Sequence, residues 1–109
     1  MSSLTGKVAV VTASSRGIGR ALAKPLETRI ALRLGRDGAA VAVNYVASPE
    51  KAEAVVKEII ASGGRAIAIQ GSVANQADVI RLFDETEKQL GSIDIVINVA
   101  GVAFDRLHT

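Results

Sequence analysis

The chain has 109 residues, with 13 Lys+Arg against 11 Asp+Glu, a formal net charge of +2 and no cysteine. At 49% apolar and 22% charged residues it is too apolar for a disordered chain, and it carries neither a disulfide framework nor a thiolate metal or redox site. No apolar run approaches the roughly 20 residues that cross a bilayer, and the segment from Met1 to Lys7 lacks the apolar stretch of a signal peptide, so the expectation is one cytoplasmic domain over residues 1–109 with no membrane partner.

The chain alternates strand and helix. Val8–Thr12 is a short β-branched run that reads as a buried strand. A turn follows, Ala13-Ser14-Ser15-Arg16-Gly17-Ile18-Gly19, and opens a helical stretch to about Leu34, closed by Gly35 and Gly38. Ala40–Tyr45 is the second strand. Ser48-Pro49-Glu50 signals a helix start, with a capping hydroxyl, a proline at the first helical position and an acid in the first turn. Ala52, Val55, Val56, Ile59 and Ile60 share a face of that helix, and Gly63-Gly64 ends it.

Ala66–Ile69 is the third strand. Asn75 caps a third helix, with Val79, Leu82, Phe83 and Leu90 inward and Gly91 as its stop. Ile93–Asn98 is the fourth strand, with Asp94 solvated near its start. Apolar strands separated by amphipathic helices predict parallel βαβ units covered on both faces, an α/β doubly wound sheet.

The Gly17-x-Gly19 turn between a strand and a helix suits an anion, because backbone N–H groups and the helix N-terminus converge there. It is not a P-loop, since no Gly-Lys-Ser/Thr follows, and Leu22 breaks the strict G-x-G-x-x-G spacing. Its position after the first strand is where doubly wound folds bind dinucleotides. Arg16, Arg20, Lys24, Arg29, Arg33 and Arg36 cluster with only Glu27 opposing them. No aromatic residues interleave these charges, so they read as a solvated helix face with Arg16 near a phosphate, not as a nucleic-acid surface.

Thr12-Ala13-Ser14-Ser15-Arg16-Gly17-Ile18-Gly19 resembles the Thr-Gly-x-x-x-Gly-x-Gly turn of the short-chain dehydrogenase/reductase family. Asn98-Val99-Ala100-Gly101 resembles that family's Asn-Asn-Ala-Gly motif after strand four. The resemblance covers about residues 4–105. It implies a Rossmann-like three-layer half-domain with strand order 3-2-1-4, a nicotinamide dinucleotide as partner, and carbonyl/alcohol hydride transfer. It places the cofactor against Ser14, Ser15, Arg16, Gly17, Ile18, Gly19, Tyr45, Ser72, Val73, Asn98, Ala100 and Gly101. NAD users of the family carry an acid near the end of strand two. Here that place holds Asn44-Tyr45, and Arg16 matches the basic residue that meets the 2′-phosphate in many NADP users, so NADP(H) is favoured over NAD(H).

The departures are specific. Ala13 replaces the turn's first glycine, which narrows the backbone approach and penalises positive φ. Ser72 stands where an aspartate commonly meets the adenine amino group, and Val99 replaces the second asparagine. Leu22–Arg29 reads as an eight-residue insertion containing Pro25, giving either a longer kinked helix or a bulged loop over Lys24 to Arg29. An unusual transcript or gene model would account for both the insertion and an early end.

The family's proton donor is a tyrosine with a lysine four residues on, helped by a serine and an asparagine, all in the half that follows the Asn-Ala-Gly motif. The single tyrosine here, Tyr45, has Pro49 four residues on and reads as an adenosine-side or packing residue. His108 reads as solvated, and no cluster suggests a metal. No catalytic residue is assigned. The chain therefore reads as the cofactor-binding portion of an NADP(H)-dependent oxidoreductase. The alternatives are a non-catalytic nucleotide-binding or interaction module pairing with a longer relative, and a poorly folded product. The apolar Ile93–Val99 strand is the expected edge for homo- or hetero-association.

Overall fold

The computed structural model describes residues 4–13 and 26–99. Its elements are β1 (Val8–Thr12), α1 (Leu26–Arg36), β2 (Ala40–Tyr45), α2 (Pro49–Ala61), β3 (Arg65–Gln70), α3 (Gln76–Gln89) and β4 (Ile95–Asn98). The strands form one parallel sheet in the order β3-β2-β1-β4, as the resemblance implied. Every residue of β1 is buried, and so are the first five of β2. These two strands lie inside the sheet with apolar cover on both faces, which is why their sequences show no polar alternation.

Successive residues of β1 feed two cores. Ala9 and Val11 join Val41 and Val43 of β2 under α1 and α2, with Ala31, Ala52, Val55 and Ile59 from the helices. Val10 joins Ala42, Ile69 and Leu82 on the α3 face. The first face is closed by a tight helix contact. A Cβ on Gly35 would lie 2.8 Å from Ile59 Cγ2, and one on Gly64 would lie 2.9 Å from the same methyl. Ile59, 1% exposed, is thus boxed between two glycines.

Several expectations are corrected. α1 does not stop at Gly35; it runs to Arg36, and Gly35 serves packing. The stop is Gly38, the second glycine expected to close it, at φ +104°, where Ala39 N donates to Leu34 O and Gly38 N to Gly35 O. α2 ends on the same bond pair at Gly63. Residues 26–29 are helical, so a loop running through Arg29 does not occur; the rest of the expected insertion lies outside the described residues. The Ser48 hydroxyl makes no capping bond; Pro49 at the first helical position and Glu50 in the first turn mark the start of α2 as expected. Ile60 is 53% exposed instead of inward.

β4 is shorter than expected. Asp94 sits before it and is not merely solvated: Asp94 N donates to Val8 O at 2.8 Å, and Val8 N donates to Asp94 Oδ2 at 2.9 Å. The carboxylate fills the acceptor position that a strand's first N–H requires. Asn75 caps α3 as expected, accepting from Asp78 N at 3.2 Å. Leu82 is buried, and Phe83 and Leu90 pack beside it. Val79 is half-buried outside that cluster, while Thr86, not expected inward, is fully buried. Its hydroxyl donates to Leu82 O at 2.7 Å, so burial leaves no unpaired donor.

The box around Ile59 sets a test. On helix propensity alone Gly35→Ala would stabilise by about 1 kcal/mol. Here the new methyl meets a side chain that Gly64 prevents from moving aside, so the variant should lose about 1–2 kcal/mol in urea unfolding. Adding Ile59→Val should recover part of that loss, and a Gly35→Ala chain more stable than wild type would contradict the packing described.

Candidate functional site

In a parallel sheet all strands end at one edge. Here that edge carries Thr12, Tyr45, Gln70 and Asn98, the last residues of the four strands. β1 is where the strand order reverses, with β2 on one side and β4 on the other. Such switch points open a crevice beyond the strand ends. Of the expected site residues, Tyr45, Ser72, Val73 and Asn98 are described and lie at this edge. Ser14, Ser15, Arg16, Gly17, Ile18, Gly19, Ala100 and Gly101 lie outside the described residues.

Across the switch point Thr12 pairs in register with Asn98, and Thr12 Oγ1 donates to Asn98 Oδ1 at 3.0 Å. Asn98 therefore supports the β1–β4 junction. Val99, at 8% exposure, belongs to the main core, so the site of the family's second asparagine is here an apolar packing position. Ala13 is buried and, like every described non-glycine residue, has no positive φ. The backbone penalty expected for alanine at that position does not arise. Tyr45 packs its ring against the main core, the packing role of its two expected ones.

The loop from β3 to α3 is held by groups that the sequence reading missed. Asp78 Oδ2 accepts from Ser72 N at 2.9 Å, and Ser72 Oγ accepts from Ala74 N at 3.2 Å. Arg81 Nη2 donates to Gln70 O at 2.7 Å and lies 3.4 Å from Asp78 Oδ1. A Cβ on Gly71 would meet Arg81 Nη2 at 3.2 Å and Asp78 Cβ at 3.3 Å, so glycine lets the loop sit against α3. Asp78 stands three residues after the Asn75 cap, but its carboxylate reaches past the cap to Ser72 N while Asn75 N donates to Ser72 O, so capping-box spacing did not announce the bond.

Asn44 was read only as the absence of a carboxylate. It is instead a buried linker: Oδ1 accepts from Ala13 N at 3.0 Å, and Nδ2 donates to Gly71 O at 2.9 Å and Ile69 O at 3.2 Å. The basic face of α1 is separate from this edge set. Arg29, Arg33 and Arg36 line a shallow groove with Leu26, Ile30 and Leu32, and Arg33 pairs with Asp37 at 3.3 Å. No described helix is long and apolar enough to cross a membrane.

The hydrogen bond from Ser72 N holds the Asp78 carboxyl below its ordinary value of 3.8; desolvation opposes this, and Arg81 adds to it. A lowered folded pKa stabilises the fold above the unfolded value, and that contribution fades as pH falls through the lowered one. Asp78→Asn should therefore melt below wild type at pH 7. The gap should narrow progressively below about pH 3.8. Thermal melts showing the same gap at pH 7 and in strong acid would contradict this.

The short chain dehydrogenase family profile matches residues 7–109. An uncharacterized oxidoreductase of Methylorubrum extorquens is 46% identical over 102 residues, covering 94% of this chain and 38% of that protein. A 3-oxoacyl-[acyl-carrier-protein] reductase of Synechocystis is 46% identical over 107 residues, covering 98% and 40%. Among solved structures, a dehydrogenase/reductase from Sinorhizobium meliloti superposes with TM-score 0.73 at 44% identity, over 87% of this chain and 34% of that one. The short-chain dehydrogenase/reductase of Serratia marcescens gives TM-score 0.73 at 37% identity, over 87% and 36%. The chain thus spans about two fifths of the length of the curated relatives it matches. With the family profile matching most of the chain and the sheet in the order β3-β2-β1-β4, this chain belongs to the short-chain dehydrogenase family.

Proposed function

We propose that these residues form the NADP(H)-binding portion of an oxidoreductase that transfers hydride between the nicotinamide and a carbonyl or alcohol. The observation that carries the reading is the edge at the β1–β4 switch point, with Ser72, Val73 and Asn98 around it and no carboxylate at the end of β2. Short-chain dehydrogenases bind a nicotinamide dinucleotide, and the donor set fits one. The Ser72 hydroxyl suits an adenine, and the uncharged Tyr45 that ends β2 does not repel a 2′-phosphate. Ser14 to Gly19 would cradle the pyrophosphate through backbone N–H groups, Arg16 would pair with the 2′-phosphate, and Ala100 and Gly101 would line the nicotinamide side. When bound, the cofactor supplies the hydride. The name of the Synechocystis relative makes a 3-oxoacyl-[acyl-carrier-protein] the first carbonyl to try.

None of these 109 residues takes the proton-donor role in the proposal. Tyr45 has no lysine four residues on, and its ring packs into the core. A polypeptide of these residues should therefore bind NADPH without reducing acetoacetyl thioesters. In calorimetric titration Arg16→Ala should weaken NADPH about tenfold, roughly 1.4 kcal/mol, and leave NADH nearly unchanged. Equal losses for both would remove Arg16 from the 2′-phosphate, and turnover abolished by substitutions within the chain would refute the division of labour.

A second reading, association through β4, has its own support. Among the described residues β4 pairs only with β1, and Val96 on its α3 side is 47% exposed. Ile95 and Ile97 pack against the main core, so lysine there would test folding instead of the edge. Val96→Lys should lower the sedimenting mass across a concentration series. A wild-type monomer at tens of micromolar (~, by the usual range for weak association) would remove this reading.

A further inference from the structure

Asn44 is 2% exposed and lies one residue before the end of β2. Its amide reaches backbone just past the ends of β1 and β3, beyond the ladder, as well as Ile69 O within β3. Ala13 follows the last residue of β1, and Gly71 follows the last residue of β3. β1 and β3 are not neighbours, because β2 lies between them. Asn44 accepts from Ala13 N on one side at 3.0 Å and donates to Gly71 O on the other at 2.9 Å, with Ile69 O at 3.2 Å. Gly71 N in turn donates to Tyr45 O at 2.9 Å.

Only an amide meets this demand. It offers an acceptor and two donors on one planar group. A carboxylate of the same shape would accept from Ala13 N but set its other oxygen against two carbonyls. An aliphatic side chain would leave Ala13 N and Gly71 O, which lie past the strand ends, without this partner.

We propose that Asn44 is a positioning residue for the dinucleotide: it ties Ala13, just past the end of β1, to Gly71, just past the end of β3, so that these two strand ends meet the ligand as one preformed edge. The proposal rests on the reading of this edge as the dinucleotide site. Asn44 itself touches no ligand, since its polar atoms are buried and engaged. A preformed edge spares the ligand the cost of ordering it, and this benefit is common to NADPH and NADH. A carboxylate placed at position 44 would break the crosspiece without presenting its charge to a ribose.

The test compares the full wild-type chain with Asn44→Ala and Asn44→Thr. The threonine hydroxyl can accept from Ala13 N and donate to one carbonyl. Amide hydrogen exchange is read at Ala13 and Gly71, and NADPH and NADH affinities by calorimetry. In Asn44→Ala, exchange at both amides should rise at least tenfold and both dissociation constants should rise together by about tenfold; Asn44→Thr should recover a substantial part. Faster exchange at Ala13 alone, or unchanged affinities in a folded variant, would overturn the proposal. Unequal losses for the two nucleotides would also overturn it, because they mean direct contact with the ribose. If wild type binds neither nucleotide, the functional reading fails by itself, and the exchange arm decides whether the two strand ends are coupled. If Asn44→Ala does not fold, Asn44→Thr carries the same readouts against wild type.

Discussion

β1 has no exposed residue, and the rest of the structure is arranged around that fact. A strand buried on both faces must have both its hydrogen-bonding edges occupied and both its faces covered. β2 and β4 occupy the edges, and the helices cover the faces. Because both neighbours are parallel to it, the end of β1 lies between two other strand ends. The glycine-rich turn follows that end in sequence. Thr12 and Ala13 are there held sideways, by Asn98 and by Asn44. The position of the candidate site is thus a consequence of how β1 is buried.

The two faces are unequal. Among the described residues, the face under α1 and α2 gathers eleven buried residues and a glycine-lined box around Ile59, while the face under α3 gathers four. α3 gains much of its anchoring from polar groups instead: the Asn75 cap, the Asp78 bond to Ser72 and the Arg81 bond to Gln70. Those same bonds shape the loop that reaches the site. The lean face therefore couples the stability of α3 to the geometry of the β3–α3 loop, and it leaves Val96 exposed beside β1.

The order and type of the elements were legible because each strand is an unbroken apolar run and each helix repeats apolar residues at helical spacing. What was not legible depended on partners far along the chain. Asn44 looks like a polar residue closing a strand, yet its partners are 31 and 27 residues away. Asp94 looks like a solvated charge, yet it clips a strand 86 residues earlier. Gly35 looks like a helix stop because glycine often is one; only the approach of Ile59 shows why glycine sits inside the helix. Of the site, Tyr45, Ser72, Val73 and Asn98 were found at the strand-end edge because two motifs and the sheet order fixed where to look.

The central claim is that the C-terminal edge of this sheet, at the β1–β4 switch point, receives a nicotinamide dinucleotide. Amide chemical-shift mapping of the ¹⁵N-labelled chain during titration with NADPH tests it most directly. The account predicts shifts concentrated at Ala13, Ser72, Val73 and Asn98, with Leu4 to Lys7, Gly38 and Gly63 unmoved at the opposite edge. Shifts centred on that opposite edge or on the α1 groove, or none at saturating NADPH in a folded chain, would contradict it.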